Sequence, residues 1–278
     1  MTDPPGGAGT RLIVAFALCL LACAGRAGPG EEGRGETVSL AVATTTVSSG
    51  LMAELLPAFE ADTGYGVALV TSGSGRVLRT AREGAAEVTI THLPEAEQRF
   101  MADGFGIRRE LLMANEFVVA GPAHDPAGVA AAGGAVPAFR AIARAQALFV
   151  SRGDDSGTHR KELALWARAG IDPLGPWYFE YGHGMGKTLE LADQRGAYVL
   201  VDRGTWAARR ESLGLRVLLG KDEALFNPYH IILVSPVERG AAVRAAARRL
   251  FQWLGSGPGQ AIIGAYTVGG EHPFRAAP

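Results

Sequence analysis

From Thr37 onward the chain alternates short runs of β-forming apolar residues with stretches of helical period, and this alternation limits what it can fold into. VSLAVA (38–43) reads as a buried strand, and LMAELLPAFEAD (51–62) places apolar side chains at helical spacing. VALVT (67–71) is a second strand and SGRVLRTARE (74–83) a second helix. EVTIT, MANEFVVAG, ALFVS, AYVLV, LRVLL and YHIILVS are further strand candidates, and helical patterns run over 136–145, 156–169 and 240–254. Strands alternating with helices predict an α/β protein with mostly parallel sheets.

A chain of 278 residues can build one large or two ordinary domains. EFVVAGP (116–122) leaves the first strand–helix set, and NPYHIILVSP (227–236) returns to a C-terminal helical region. A chain that leaves one lobe, builds another and comes back forms two lobes joined by a two-strand hinge. The same two segments also fit ordinary core strands. In the two-lobe reading the lobes are 37–116 plus 233–278, and 117–232. Ligands of such proteins bind between the lobes, near the carboxyl ends of strands.

The N-terminus is a different material. Arg11 precedes an apolar run of 11 residues, 12–22, and then Cys23. The run is too short to span a membrane and fits the core of a secretory signal, assigned to 1–22. Leu20-Leu21-Ala22-Cys23 resembles the lipobox of bacterial lipoproteins, which makes Cys23 the expected lipidation site. The alternative is ordinary signal cleavage nearby. Residues 23–36, Gly-rich and charged, read as a flexible tether. Cys19 and Cys23 are the two cysteines, so the body has no disulfide, no Cys nucleophile and no Cys-bound metal.

Three polar clusters follow predicted strands and precede predicted helices: Thr44 to Gly50, Thr71 to Gly75, and Ser151 to Thr158. Helix starts there point unbonded N–H groups toward a cleft. Hydroxyls, and glycines that admit close backbone approach, turn such a place into a donor-rich cage for an oxyanion. One such cluster alone is an ordinary helix cap; three in succession point to a ligand. Arg152 adds a positive charge. Asp154 and Asp155 would repel an anion, unless one pairs with Arg152 and the other caps the following helix.

Other chemistries fit poorly. GHGMGKT (182–188) lacks the spacing of a phosphate-binding P-loop, and no hydrophobic strand is evident just before it. The six histidines show no close metal spacing; His159 and Glu162, one helical turn apart, read as a surface pair. A Ser-His-Asp hydrolase would need a G-x-S-x-G elbow, which is absent. A net charge of −1 argues against nucleic-acid binding. The sequence therefore predicts a binding protein rather than an enzyme, with a phosphate-ester hydrolase as the rival from another class.

Over residues 39–273 the chain resembles the tungstate-binding proteins of bacterial ABC importers. The resemblance rests on ATTT (43–46), SRGDDSGTH (151–159), WY (177–178), GHGMGKTL (182–189), DRGTW (202–206) and NPYHIILVSP (227–236). It implies a type II periplasmic binding protein that closes on one tetrahedral oxyanion and hands it to an ABC permease and its ATPase. It implies anion contacts from Thr45, Thr46, Ser74, Arg152 and Thr158, with Ser156 and the Gly157 amide close by. Such a protein carries no cofactor, acts as a monomer outside the cytoplasm, and meets the membrane only through its lipid anchor. Tungstate is the expected cargo; molybdate, phosphate and sulfate are the alternatives. The family usually has TTTS before its [ST]-G-L; here Val47 follows the triplet and SGL (49–51) arrives about two residues early.

Overall fold

The computed structural model describes residues 35–235 and 239–278. The signal segment, Cys23 and nearly all of the tether lie outside the described residues.

The first part runs β1 (Thr37–Ala43), α1 (Thr44–Ser48), α2 (Leu51–Thr63), β2 (Gly66–Ser72), α3 (Ser74–Arg82), β3 (Val88–Thr91) and α4 (Pro94–Ala102). A long strand follows, β4 (Gly106–Gly121), then α5 (Ala135–Ala145), β5 (Phe149–Ser151), α6 (Gly157–Ala169), β6 (Tyr178–Glu180) and α7 (Met185–Arg195). The chain ends with β7 (Val199–Asp202), α8 (Arg203–Arg209), β8 (Arg216–Leu219), β9 (Phe226–Val234), α9 (Ala241–Leu254), α10 (Gly257–Ala265) and β10 (Arg275–Ala276).

The α/β class holds, but the sheets are not mostly parallel. β1 pairs in parallel with β2 and β3, and β5 with β6. β4 is antiparallel to β7, β8, β9 and β10, and β3 is antiparallel to β9. The cause is β4, whose register against β9 runs from Gly106↔Val234 to Glu116↔Phe226. Beyond that ladder, Phe117 to Ala120 pair instead with β7. One strand thus serves two sets of neighbours. Its charged first half, GIRREL, hid this length from an apolar-run reading.

Strand alternation sorts the core. In β1, Val38, Leu40 and Val42 point into a cluster with Leu55, Phe59, Ile231, Leu250 and Trp253, while Ala41 faces Val77 of α3. In β4, Phe117 and Val119 join Phe139, Phe149, Trp166 and Leu200; Val118 and Ala120 join Met185, Leu189, Val199 and Trp206. Both faces of β1 and of the second half of β4 are therefore covered, as in other α/β sheets. Trp166 of α6 sits edge-on to Phe139 at 4.4 Å and to Phe149 at 5.3 Å, which pins that helix against β5.

Candidate functional site

Three strand-to-helix junctions carry the polar clusters: β1 into α1, β2 into α3, and β5 into α6. The second and third touch. A Cβ placed on Gly73 would lie 3.1 Å from the Cβ of Ser156, so any larger residue at 73 would push the two apart. A Cβ on Gly157 would lie 2.6 Å from Nε2 of His92, at the end of β3. The first junction joins through Tyr229 of β9, whose hydroxyl donates to Thr45 Oγ1 at 3.0 Å and whose ring stacks on His92 at 4.7 Å. α1 also lies against α8, which Asp202 caps by accepting from Thr205 N at 2.9 Å. All seven predicted residues, Thr45, Thr46, Ser74, Arg152, Ser156, Gly157 and Thr158, are buried.

Their donors are spent differently. Arg152 is fully buried and gives Nη2 to Asp154; its Nε and Nη1 have no partner among the described residues. Thr158 Oγ1 is likewise buried and unpartnered. Ser74 Oγ accepts from His92 N at 3.4 Å and Ser156 Oγ from His159 N at 3.3 Å, so both keep a hydroxyl proton to give. Thr45 Oγ1, accepting from Tyr229, keeps its proton too. Thr46 differs: its hydroxyl donates to the Ala43 carbonyl at 2.8 Å, which leaves its backbone N–H as the group it can offer. Ser49 similarly donates to Thr46 O at 2.9 Å. The short connection after the triplet is one helical turn, closed by Gly50 at φ 86°.

The two aspartates are resolved. Asp154 pairs with Arg152 and also accepts from Ser156 N at 3.1 Å, tying the arginine to the start of α6. Asp155 does not cap the helix; Ser156 does, and Asp155 turns outward to pair with Arg160. A further correction concerns Glu162. It is no surface group but fully buried, accepting from the Tyr178 hydroxyl at 2.7 Å and from the Arg152 amide at 3.4 Å.

Burial sets the charges. Desolvation pushes the His92 imidazole down to about 4, so at neutral pH it carries no charge; it meets Asn227 Oδ1 at 2.9 Å through Nδ1. The Asn227 amide in turn donates to Asn115 Oδ1 at 2.7 Å, which makes Nδ1 of His92 the protonated nitrogen. Burial also holds the Asp202 carboxyl above its ordinary range, and its Oδ2 has no partner among the described residues. Arg152 is thus the fully buried cation of the cluster. Two unpartnered guanidinium nitrogens, free hydroxyls and the first-turn amides of α3 and α6 form a set of donors around one positive charge. Such a set is chemically suited to a small oxyanion that accepts hydrogen bonds.

Sequence reasoning did not single out Tyr229, Asp202, Glu162, His92 or Asn227 for the site. The available signal was a polar residue ending an apolar strand, as in YVLVD and VTITH. A strand does precede GHGMGKT, since Tyr178–Glu180 pairs with β5, contrary to expectation. The segment is still no phosphate cradle: Thr188 turns its hydroxyl back to the His183 carbonyl at 3.1 Å.

Residues 30–256 match the PBP superfamily domain. The chain is 39% identical over 260 residues to the tungstate-binding protein TupA of Peptoclostridium acidaminophilum, covering 91% of each protein. The structure of the tungstate ABC transporter from Geobacter sulfurreducens superposes with a TM-score of 0.75 at 41% identity, over 83% of this chain and 99% of that one. The tungstate-binding protein TupA from Desulfovibrio alaskensis G20 gives 0.71 at 35% identity, over 87% and 99%.

Proposed function

Because the chain belongs to the PBP superfamily, and within it to the TupA family of solute-binding proteins, we propose that it captures tungstate outside the cytoplasm and delivers it to an ABC permease. The observation that carries this reading is the buried Arg152, two of whose guanidinium nitrogens, like the buried Thr158 hydroxyl of the helix that follows, have no partner among the described residues. Tungstate is a dianion without a proton, so its oxygens only accept hydrogen bonds, and the groups these predicted residues leave unspent are donors. Thr45, Ser74, Ser156 and Thr158 supply hydroxyls, Thr46 and Gly157 supply amides, and Arg152 supplies the charge. Each charge-assisted bond contributes about 1.5–3 kcal/mol, so a few in a dry site give tight binding.

Monohydrogen phosphate would need an acceptor for its own proton. Asp154 and Asp155 are engaged by Arg152 and Arg160, and Asp202 is held toward its acid form. That arrangement favours the fully deprotonated anion. The mechanism is capture, with 37–116 plus 233–278 and 117–232 closing as two lobes about β4 and β9. The paired course of those strands, antiparallel from Gly106 to Glu116, supports them as the hinge. Cys23, outside the described residues, is the proposed lipid anchor of a monomeric carrier served by a permease and its ATPase.

Calorimetry on the purified protein with tungstate, molybdate, sulfate and phosphate in parallel tests the reading. Tungstate is expected to bind and phosphate to give no heat. Phosphate binding alone, or no binding by any of the four, would overturn it. Molybdate, which matches tungstate in charge and nearly in size, tests the discrimination within that pair.

A further inference from the structure

The neighbourhood of Arg152 holds more carboxyl groups than positive charges. Arg152 and Asp154 cancel one another. Behind them, on α6 one turn past Thr158, Glu162 is 1% exposed, with Oε2 on the Arg152 amide and Oε1 on the Tyr178 hydroxyl. We propose that Glu162 is a positioning residue that takes up a proton as the dianion is captured, so that it supports the Arg152 backbone as a neutral acid. The inference rests on the oxyanion-binding reading of the site.

Among the described residues, the groups facing Glu162 bring no further cation to balance the charge. From β5 and β6 come Ser151 and Tyr178, whose hydroxyls are 3.0 Å apart, and neither is charged. Burial drives the Tyr178 phenol far up, so it stays a donor. On α6 itself, the Trp166 indole is uncharged, and burial lowers His159, whose Nε2 lies 3.7 Å from Glu180. Lys161 turns away to the carbonyls of Ala224 and Phe226, both at 3.1 Å. Across the site, His92 is neutral, and burial favours the acid form of Asp202, so neither supplies a cation. A dianion arriving before Arg152 therefore meets one cation already paired. An ionised Glu162 behind it would be a third buried negative charge in a water-poor place, where like charges repel strongly.

The direction of the linkage follows. Burial places the Glu162 carboxyl at about 7 before any anion arrives. The anion's charge raises it further, so the complex holds more protons than the free protein on the alkaline side. Affinity is then greatest where Glu162 is already an acid and falls as pH rises through and beyond neutrality. For one linked proton the slope approaches about tenfold in Kd per pH unit.

Tungstate titrated calorimetrically, in pairs of buffers matched in pH but far apart in ionisation enthalpy, reads this uptake directly. In the alkaline range the anion carries no proton of its own. The expected result is uptake approaching about one proton, with Kd weakening at the slope given above. Glu162→Gln is expected to abolish most of the uptake and flatten the pH dependence while leaving the thermal melt cooperative. If that variant fails to fold, infrared difference spectra of the unaltered protein with isotope-labelled Glu decide, because a carboxylic C=O band must appear on adding tungstate. Binding heats that are independent of buffer, no such band, or undiminished uptake in Glu162→Gln would each overturn the proposal. Binding without proton uptake sinks this inference alone; no binding of any oxyanion sinks the functional reading first.

Discussion

The junctions that open α1 and α6 look alike in sequence, hydroxyl residues following an apolar strand, yet they use those hydroxyls in opposite ways. At α1, the Thr46 and Ser49 hydroxyls turn back onto carbonyls of their own turn. Thr45 is held by Tyr229, and the junction carries no charged residue. At α6, Ser156 caps the helix with its oxygen, Asp154 pairs with Arg152, and Thr158 and two guanidinium nitrogens have no partner among the described residues. A threonine in the first turn of a helix can bond a carbonyl three or four residues back, and it then has no proton left for a ligand. Counting hydroxyls therefore overstates what the first junction gives an anion. What it has free to offer is mainly backbone and the Thr45 hydroxyl.

Substitutions at the two junctions test this contrast. Arg152→Ala has the largest expected effect, because it removes the buried cation and leaves Asp154 facing the anion; a loss of about 2–5 kcal/mol in binding is expected by calorimetry. An unchanged Kd would remove Arg152 from the site. Asp154→Asn comes next, weakening binding by about 1–2 kcal/mol as the guanidinium loses its charged partner. Tighter binding would mean that its repulsion of the anion outweighs its orienting role.

The sharpest comparison pairs Thr158→Val with Thr46→Val. The first is expected to weaken tungstate binding by about 1 kcal/mol with little change in melting temperature. The second is expected to lower the unfolding free energy by about 1 kcal/mol while shifting Kd much less. If the two results exchange, the contrast between the junctions is wrong. Asp155→Asn should be smallest, since its pairing with Arg160 is exposed and such pairs contribute about 0–1 kcal/mol; a Kd change within roughly twofold is expected.

Much of this molecule could be read from its residues. The apolar runs at Val38–Ala43 and Val199–Val201 are strands, and the period through 156–169 is a helix, although its cap is Ser156 and not an aspartate. The three hydroxyl-rich junctions and Arg152 also stood out, because polar residues concentrate where helices begin. The reading missed the mixed sheet, since β4 starts with charged residues that alternate with apolar ones and face two different partners. It missed α4, α7 and α8 as well, short helices of 9, 11 and 7 residues in which polar and charged residues interrupt the buried positions.

The site shows the same division. Residue types and spacing by themselves determined that hydroxyls, amides and one arginine stand at the carboxyl ends of strands, because donor chemistry is local and visible. Only the tertiary structure decided which of those donors remain unspent, because a hydroxyl's partner depends on where the chain turns after it. It also decided that Glu162, Asp202 and His92 gather around Arg152, residues far apart in the chain whose protonation is set by burial rather than by type. SRGDDSGTH (151–159) read alone is a helix start with a cation nearby. Folded, with Arg152 out of water and braced by Asp154, it is one device that caps a helix and presents a charge. A buried charge draws its strength from the low-dielectric surroundings that distant residues build around it.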